Sequence, residues 1–482
     1  MDAVETFRRS VGACLVGLLG FVSLLCALVP PARGAEDVVV LTTDFATGAI
    51  TTLPVAGSCA PTLDRAAICG DPVARSWNDR IYVVNRFGCD NIQVLDPFAG
   101  YATLSECSVG SELNPQDIAV VHHHRAYVTR YESNDLLEID PESCAVTDAI
   151  SLAGFADVDG LVEMHRMFLK GDRLYVQLQR LDRRGFPYVA EGSMLAVIDV
   201  TTNTLIDVDS SLPGVQAIEL SGDNPIAPMQ LELTTGFLLV PETGLYGVMN
   251  DGGIERVDLR RNRSAGFALP GAALNADLVD FAQGPGASGY VVIADASFNT
   301  SLMRYDSLAG TLTGALYAPG GYVLSDVLAH GGKLFVADRD FFEPGIRVWD
   351  LGTEAPLCGG VLPSGLPPFE LLVRPDVPSE APEAGDRLTG TIPGLGGFAP
   401  NPTSGEAVLI AALPADAWRR AELFDTGGRR VQRLVPRAVG GGTEFHWDGR
   451  DEVGRPLGSG VYFLWVETGD GRTAARRCDL IR

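Results

Sequence analysis

The sequence predicts an all-β chain: a seven-bladed β-propeller closed on itself, followed by a small β-sandwich. Three observations carry the prediction. The stretch Asn114–Pro141 holds three short β-patterned segments separated by turn chemistry, and degenerate copies of it recur from near residue 37 to near residue 373. Its middle segment appears seven times, beginning at residues 38, 81, 126, 174, 237, 290 and 334. A spare first strand follows the seventh copy at Pro367–Val373, whereas the first copy has none before it.

The middle segments run from Val38-Val39-Val40-Leu41 through Ile81-Tyr82-Val83-Val84, Ala126-Tyr127-Val128 and Leu174-Tyr175-Val176. Phe237-Leu238-Leu239-Val240, Tyr290-Val291-Val292-Ile293 and Leu334-Phe335-Val336 complete the set. Most spacings match the roughly 40 to 50 residues of a four-stranded blade. The two longer ones imply inserted loops, at Arg180–Glu191 and near Pro213–Pro228. The third segments end in Asp96, Asp140, Asp199, Asp258, Asp306 and Asp350, each followed by a turn. A carboxylate there is expected to accept the turn's amides and to do no chemistry. Pro367–Val373 matches Asn114–Val120 in pattern, so it is expected to complete the N-terminal blade and remove the free edges at the seam.

Composition sets the bounds. The chain has 482 residues, 46% hydrophobic and 20% charged, enough for two or three domains with their own cores. Its 55 glycines and 30 prolines suit many short strands joined by tight turns. A net charge of −24 repels phosphate backbones and argues against a nucleic-acid partner. Arg8 and Arg9, an apolar run from Val11 to Val29, and small residues around Gly34-Ala35 read as a cleaved signal peptide over residues 1–35. No later apolar run is long enough to span a membrane, so an exported monomer is expected, outside the cell, on its surface or in the periplasm. Export permits disulfides among the seven remaining cysteines, an odd number that leaves one thiol over. The local pairs Cys59 with Cys69 and Cys89 with Cys107 are expected, although spacing does not determine connectivity.

Tyr82-Val83-Val84-Asn85 and Tyr127-Val128-Thr129-Arg130 resemble the YVTN-repeat, YncE-like family of bacterial β-propellers, over roughly residues 36–373. That resemblance implies the fold and little about activity, because propellers host unrelated functions. Residues 374–397 read as a linker, rich in proline, glycine and acids. From 398 to 482, strand patterns at Ala407–Ile410 and Ala421–Asp425, with Trp447-Asp448-Gly449 and Gly458-Ser459-Gly460-Val461-Tyr462, resemble the FlgD-type immunoglobulin-like domain. They are also similar to the C-terminal sorting domains of type IX secretion substrates. The first resemblance implies an immunoglobulin-like β-sandwich, the second a role in export and surface attachment.

First strands line the channel of a propeller. Aligning them brings Asp117, Asp159, Gln230, Asp277, Asp326 and Glu370 to comparable positions. The carboxylates of Asp117, Asp159, Asp277, Asp326 and Glu370 form a candidate Ca²⁺ site, although a solvated channel explains them as well. Glu163 and His165 alternate with apolar residues, so they share a strand face and form the candidate catalytic pair. Arg180, Asp182 and Arg183 join Asp117 and Asp159 as candidate ligand-binding residues, with arginines suited to an anionic group. A salt-bridged surface is the plainer reading of that cluster. His122-His123-His124 lies at a turn and its alternating faces disfavour chelation of one ion. No nucleophile elbow, phosphate loop or zinc-protease motif is present. The expected function is recognition of an extracellular ligand or protein. The alternative is a Ca²⁺-dependent lactonase or esterase using the channel acids.

Overall fold

The computed structural model describes residues 36–482 except 233, 375–394, 400–402, 426–429, 440–441, 453 and 469–472. The expected leader and most of the expected linker lie outside the described residues. Those described are almost entirely β-structure, arranged as small antiparallel sheets. No helix among them is long and apolar enough to cross a membrane.

Seven sheets with four-stranded paths succeed one another between Asp37 and Val373. Their first strands, in sheet order, are Pro368–Val373, Pro72–Trp77, Pro115–His122, Met164–Lys170, Gln230–Leu231, Asp277–Gln283 and Leu324–His330. The fourth sheet carries an additional strand, Ile218–Glu219, after Thr204–Leu205. The spare strand sits where its pattern places it: Pro368–Val373 pairs antiparallel with Asp37–Thr43, Val38 opposite Val373 and Leu41 opposite Glu370. Residues from the two ends of this repeat region therefore share one sheet, and a free edge is replaced by a hydrogen-bonded ladder.

The second strands are apolar on both sides because each sheet is covered on both faces. Val83 and Val84 both have no exposed surface. Val84, Ile118 and Val128 pack in one cluster shared by the second and third sheets, and Val38, Val40, Phe335 and Val348 join the first to the seventh. All six aspartates ending the third strands hold the following turn, as expected. Asp96, Asp140, Asp199, Asp258, Asp306 and Asp350 each accept two backbone N–H groups.

The disulfides differ from the expected local pairs. Cys59 bonds Cys358, Cys69 bonds Cys89 and Cys107 bonds Cys144, leaving Cys478 as the free thiol among the described residues. Each bridge joins neighbouring sheets: seventh to first, first to second, and second to third. Contiguity in sequence predicted the partners wrongly because stacking sets connections and edge strands of adjacent sheets beside one another. Cys59–Cys358 closes a loop of about 300 residues across the seam. Replacing both cysteines by serine is expected to lower stability by about 2–4 kcal/mol, measured by urea unfolding of the oxidised proteins.

Glu242, ending the second strand of the fifth sheet, is fully buried, lies beside Glu255, and neither carboxyl oxygen has a hydrogen-bond partner. Burial, then the neighbouring Glu255 charge, pushes its carboxyl well above the usual range. At low pH both folded and unfolded chains carry the proton and Glu242 costs little. As pH rises through the ordinary carboxyl value of 4.5 the unfolded chain ionises first, so stability falls until the folded carboxyl also ionises. Glu242→Gln is expected to raise stability by about 1–3 kcal/mol at pH 7 and to lose that gain towards pH 4, measured by thermal unfolding across pH.

Nearer the C-terminus, Leu395–Ala399, Ala407–Ala411, Gly442–Trp447 and Arg437–Val439 form one four-stranded sheet. Arg430–Arg433, Trp418–Asp425, Gly460–Thr468 and Thr473–Leu480 form a second. Leu409, Leu423, Phe445, Trp447, Leu464 and Val466 of the two sheets share one core. The Trp418 indole donates to Thr443 inside it, which satisfies a buried polar atom.

Candidate functional site

The first strands hold each other through their acids. Asp117 of the third sheet accepts the N–H of Met167 in the fourth at 2.7 Å, and Asp280 of the sixth accepts that of Val327 in the seventh at 2.9 Å. Asp326 of the seventh accepts the N–H of Leu371 in the first, across the seam. Asp117 also takes a bidentate ion pair from Arg75 of the second sheet, at 2.7 and 2.8 Å. Arg166 of the fourth sheet lies 3.5 Å from Glu370 of the first. Burial pushes the carboxyls of Asp280, Asp326 and Glu370 up, with Asp280 beside Asp326 adding to the rise at Asp326. The inward acids are thus clasps between sheets, interleaved with two arginines.

The expected alignment of these acids needs correcting at two places. Asp159 is not on a first strand. The fourth sheet's strand starts at Met164, after a turn through Gly160 (φ 92°) and Glu163 (φ 43°), so Arg166 rather than Asp159 meets the clasps. In the sixth sheet, an irregularity between Leu278 and Asp280 moves the inward position to Asp280. Asp277 instead accepts the N–H of Gly247 at 3.0 Å. The structure brings Asp326 and Glu370 near Asp280 and Arg75, and places Asp159 and Asp277 elsewhere. Gln230 bonds the carbonyl of Phe281.

Asp159 belongs to a trio with Asp157 and Glu163 whose oxygens lie within 4.8 Å of one another. A divalent cation fits poorly there, because the Arg183 guanidinium already lies 3.2 Å from Glu163 and 3.9 Å from Asp159. Asp117, saturated by Arg75, Ile118 and Met167, offers a cation no better seat. The other candidate ligand-binding side chains are engaged within the protein. Arg180 donates to the carbonyls of Phe155, Glu191 and Gly192, Arg183 forms a bidentate pair with Glu132, and Asp182 pairs with Arg184. These contacts match the plainer, salt-bridged reading.

Glu163 and His165 do not act on one another. The Glu163 carboxylate accepts from Leu181 and Arg183, and burial pushes it up to about 7. His165 is 7% exposed, and burial with Arg166, Arg86 and Arg75 nearby holds its imidazole well below the ordinary value. It stays neutral at physiological pH.

His165 instead lies in the floor of a funnel of about 470 Å³, walled by side chains from the second to fifth sheets and their loops. Four buried polar atoms in this funnel's lining have no hydrogen-bond partner: His165 Nδ1, Arg86 Nε, Gln179 Oε1 and Asn224 Oδ1. Gln179 and Asn224 are only 2% and 3% exposed. The charge of Arg86 is matched by Asp71, 2.5 Å away, and its Nη1 donates to Gln116. The floor is therefore lined by polar residues with little net charge, under a rim that includes Phe186, Tyr188 and Tyr246.

Of these residues, Arg86, Gln116, Asn224 and Tyr246 were not singled out from sequence. Asn85-Arg86-Phe87 at the end of a YVTN-like segment was a usable signal; nothing local marks Asn224.

A protein of Bacteroides fragilis described provisionally as a 6-phosphogluconolactonase superposes with a TM-score of 0.51 at 14% identity, over 70% of this chain and 98% of its own. The fold is that of a β-propeller. A protein from Lactobacillus plantarum follows at a TM-score of 0.49, with 13% identity over 70% of this chain and 99% of its own. PorZ, a surface component of the type-IX secretion system of Porphyromonas gingivalis, superposes at 0.40, with 16% identity over 90% of this chain and 63% of its own. At these identities the likeness concerns fold alone. No family model matches the chain, and no curated protein matches it.

Proposed function

We propose that the chain is an exported seven-bladed β-propeller that binds an extracellular ligand at the funnel over His165. In this reading residues 1–35 are an export leader, residues 36–373 the propeller and residues 374–397 a linker. Residues 398–482 are an immunoglobulin-like module for sorting or attachment. The observation that carries the binding reading is that four residues with an unpartnered buried polar atom line one opening. Polar atoms without partners are costly in an interior and suit a site completed by a ligand. Three disulfides fit an oxidising compartment.

Hydrolysis has less support. Glu163 is turned to Arg183, and the acids are engaged in clasps. The test is a thermal-shift screen of the purified chain against a small-molecule library, repeated with Gln179→Ala and Asn224→Ala. Hits that stabilise the parent and fail with both variants support the reading. Turnover of lactones or aryl esters at ordinary enzyme rates, abolished by EDTA, would replace it with the hydrolase. Cell fractionation with and without residues 398–482 tests the tail, whose loss is expected to release the propeller from the cell surface.

A further inference from the structure

In each of the seven sheets the connection from second to third strand carries an aromatic residue. Six of these connections expose one: Phe45, Phe87, Phe186, Tyr246, Phe298 and Phe341. Phe87, Phe186 and Phe341 are 80%, 93% and 88% exposed, where an apolar ring ordinarily buries most of its surface. Tyr131, in the connection of the third sheet, is partly covered by the Arg183 guanidinium 4.9 Å above its ring.

These connections gather at one end of the propeller. Four of them wall the funnel. Arg339 of the seventh lies over the Phe45 ring of the first, at 4.7 Å. Phe45 packs edge-on against Phe369, over which Arg86 of the second connection also lies.

The loops hold the rings rigidly. Asp44, Asp295 and Asp340 each accept two backbone N–H groups of their own loops. Phe45 and Phe298 adopt φ of 66° and 58°, a left-handed conformation that bulky side chains rarely take.

Extending the funnel-binding reading, on which it rests, we propose that this crown of aromatic loops recognises the sugar rings of a neutral glycan, whose terminal residue enters the funnel. The chemistry is complementary on three counts. Separate flat rings present faces for the apolar C–H side of successive sugars, each ring large and stiff enough to lose little entropy. Asp44, Asp295, Asp340 and Glu343 lie on the same connections as the rings and offer acceptors for hydroxyl groups. The funnel lining adds the uncharged polar side chains of Gln179, Asn224 and a neutral His165, which suit a neutral sugar. The same carboxylates disfavour an anionic lipid surface, and they break the apolar continuity that a hydrophobic protein partner would need.

The experiment uses the purified full chain and immobilised neutral hexasaccharides of β-1,4-glucose, α-1,4-glucose, β-1,4-mannose and β-1,4-N-acetylglucosamine. Sedimentation with phosphatidylcholine–phosphatidylglycerol vesicles runs in parallel. The expected result is binding of at least one hexasaccharide, weakened tenfold or more in Phe87→Ala/Phe298→Ala/Phe341→Ala, with circular dichroism unchanged. Binding lost in Gln179→Ala/Asn224→Ala but unchanged in the crown variant overturns the crown and leaves the funnel. Binding lost only in the crown variant supports the crown and overturns the funnel reading. No binding to any of the four hexasaccharides, or vesicle binding abolished by the crown variant, overturns the glycan assignment.

Discussion

Asp117→Ala is expected to destabilise the chain by about 3–5 kcal/mol, read as a fall in the urea midpoint at unchanged slope. Asp117 has no exposed surface and serves three groups at once: the Arg75 guanidinium, its neighbour Ile118, and the N–H of Met167 one sheet further on. Alanine leaves a mostly buried guanidinium without its counter-charge and a buried N–H without an acceptor. Asp117→Asn keeps an acceptor for Met167 and is expected to cost less. The paired change Asp117→Leu/Arg75→Met removes both charges together and is expected to recover much of the loss, because the largest penalty is the orphaned charge. If Asp117→Ala leaves the midpoint unmoved, the clasp between second, third and fourth sheets carries no weight.

Leu371→Pro is expected to cost about 3 kcal/mol or more and to open the ring at its seam. Leu371 pairs with Val40 in the strand that completes the first sheet, and its N–H is the one accepted by Asp326. Proline removes that donor, leaves Asp326 buried with one partner fewer, and adds a ring where an extended ladder is packed. Hydrogen exchange is the discriminating measurement. Amides of Asp37–Thr43 and of Leu324–His330 are expected to lose protection first, while strands of the fourth and fifth sheets hold. A uniform loss across all sheets would mean that the seam is no weaker a point than the rest.

Much of this architecture was legible before any coordinates. Tyr82-Val83-Val84 and its six relatives mark second strands, because a segment apolar on both faces is what a sheet covered on both faces requires. The aspartates from Asp96 to Asp350 identify the following turns, since a short carboxylate reaches its own chain two residues on. Pro367–Val373 could be assigned to the first sheet because a lone strand pattern has to find an edge. The site was less legible. Its floor atoms come from Arg86, His165, Gln179 and Asn224, four places that no short window of sequence joins. The channel register failed at Asp159 and Asp277 for a local reason. One left-handed residue at Glu163 and one irregularity after Leu278 each shift which side chain points inward, and period-two counting has no means of sensing them.

By itself the sequence determined the strand repeats, the turn carboxylates and the strand that ends the circle, because each depends on interactions within a few residues or on one unmatched edge. Only the tertiary structure decided the bridges Cys59–Cys358, Cys69–Cys89 and Cys107–Cys144, the Asp117–Arg75 clasp and the funnel beneath Tyr246. Those depend on how one sheet turns against the next, which is set by packing across the stack and leaves no periodic trace along the chain.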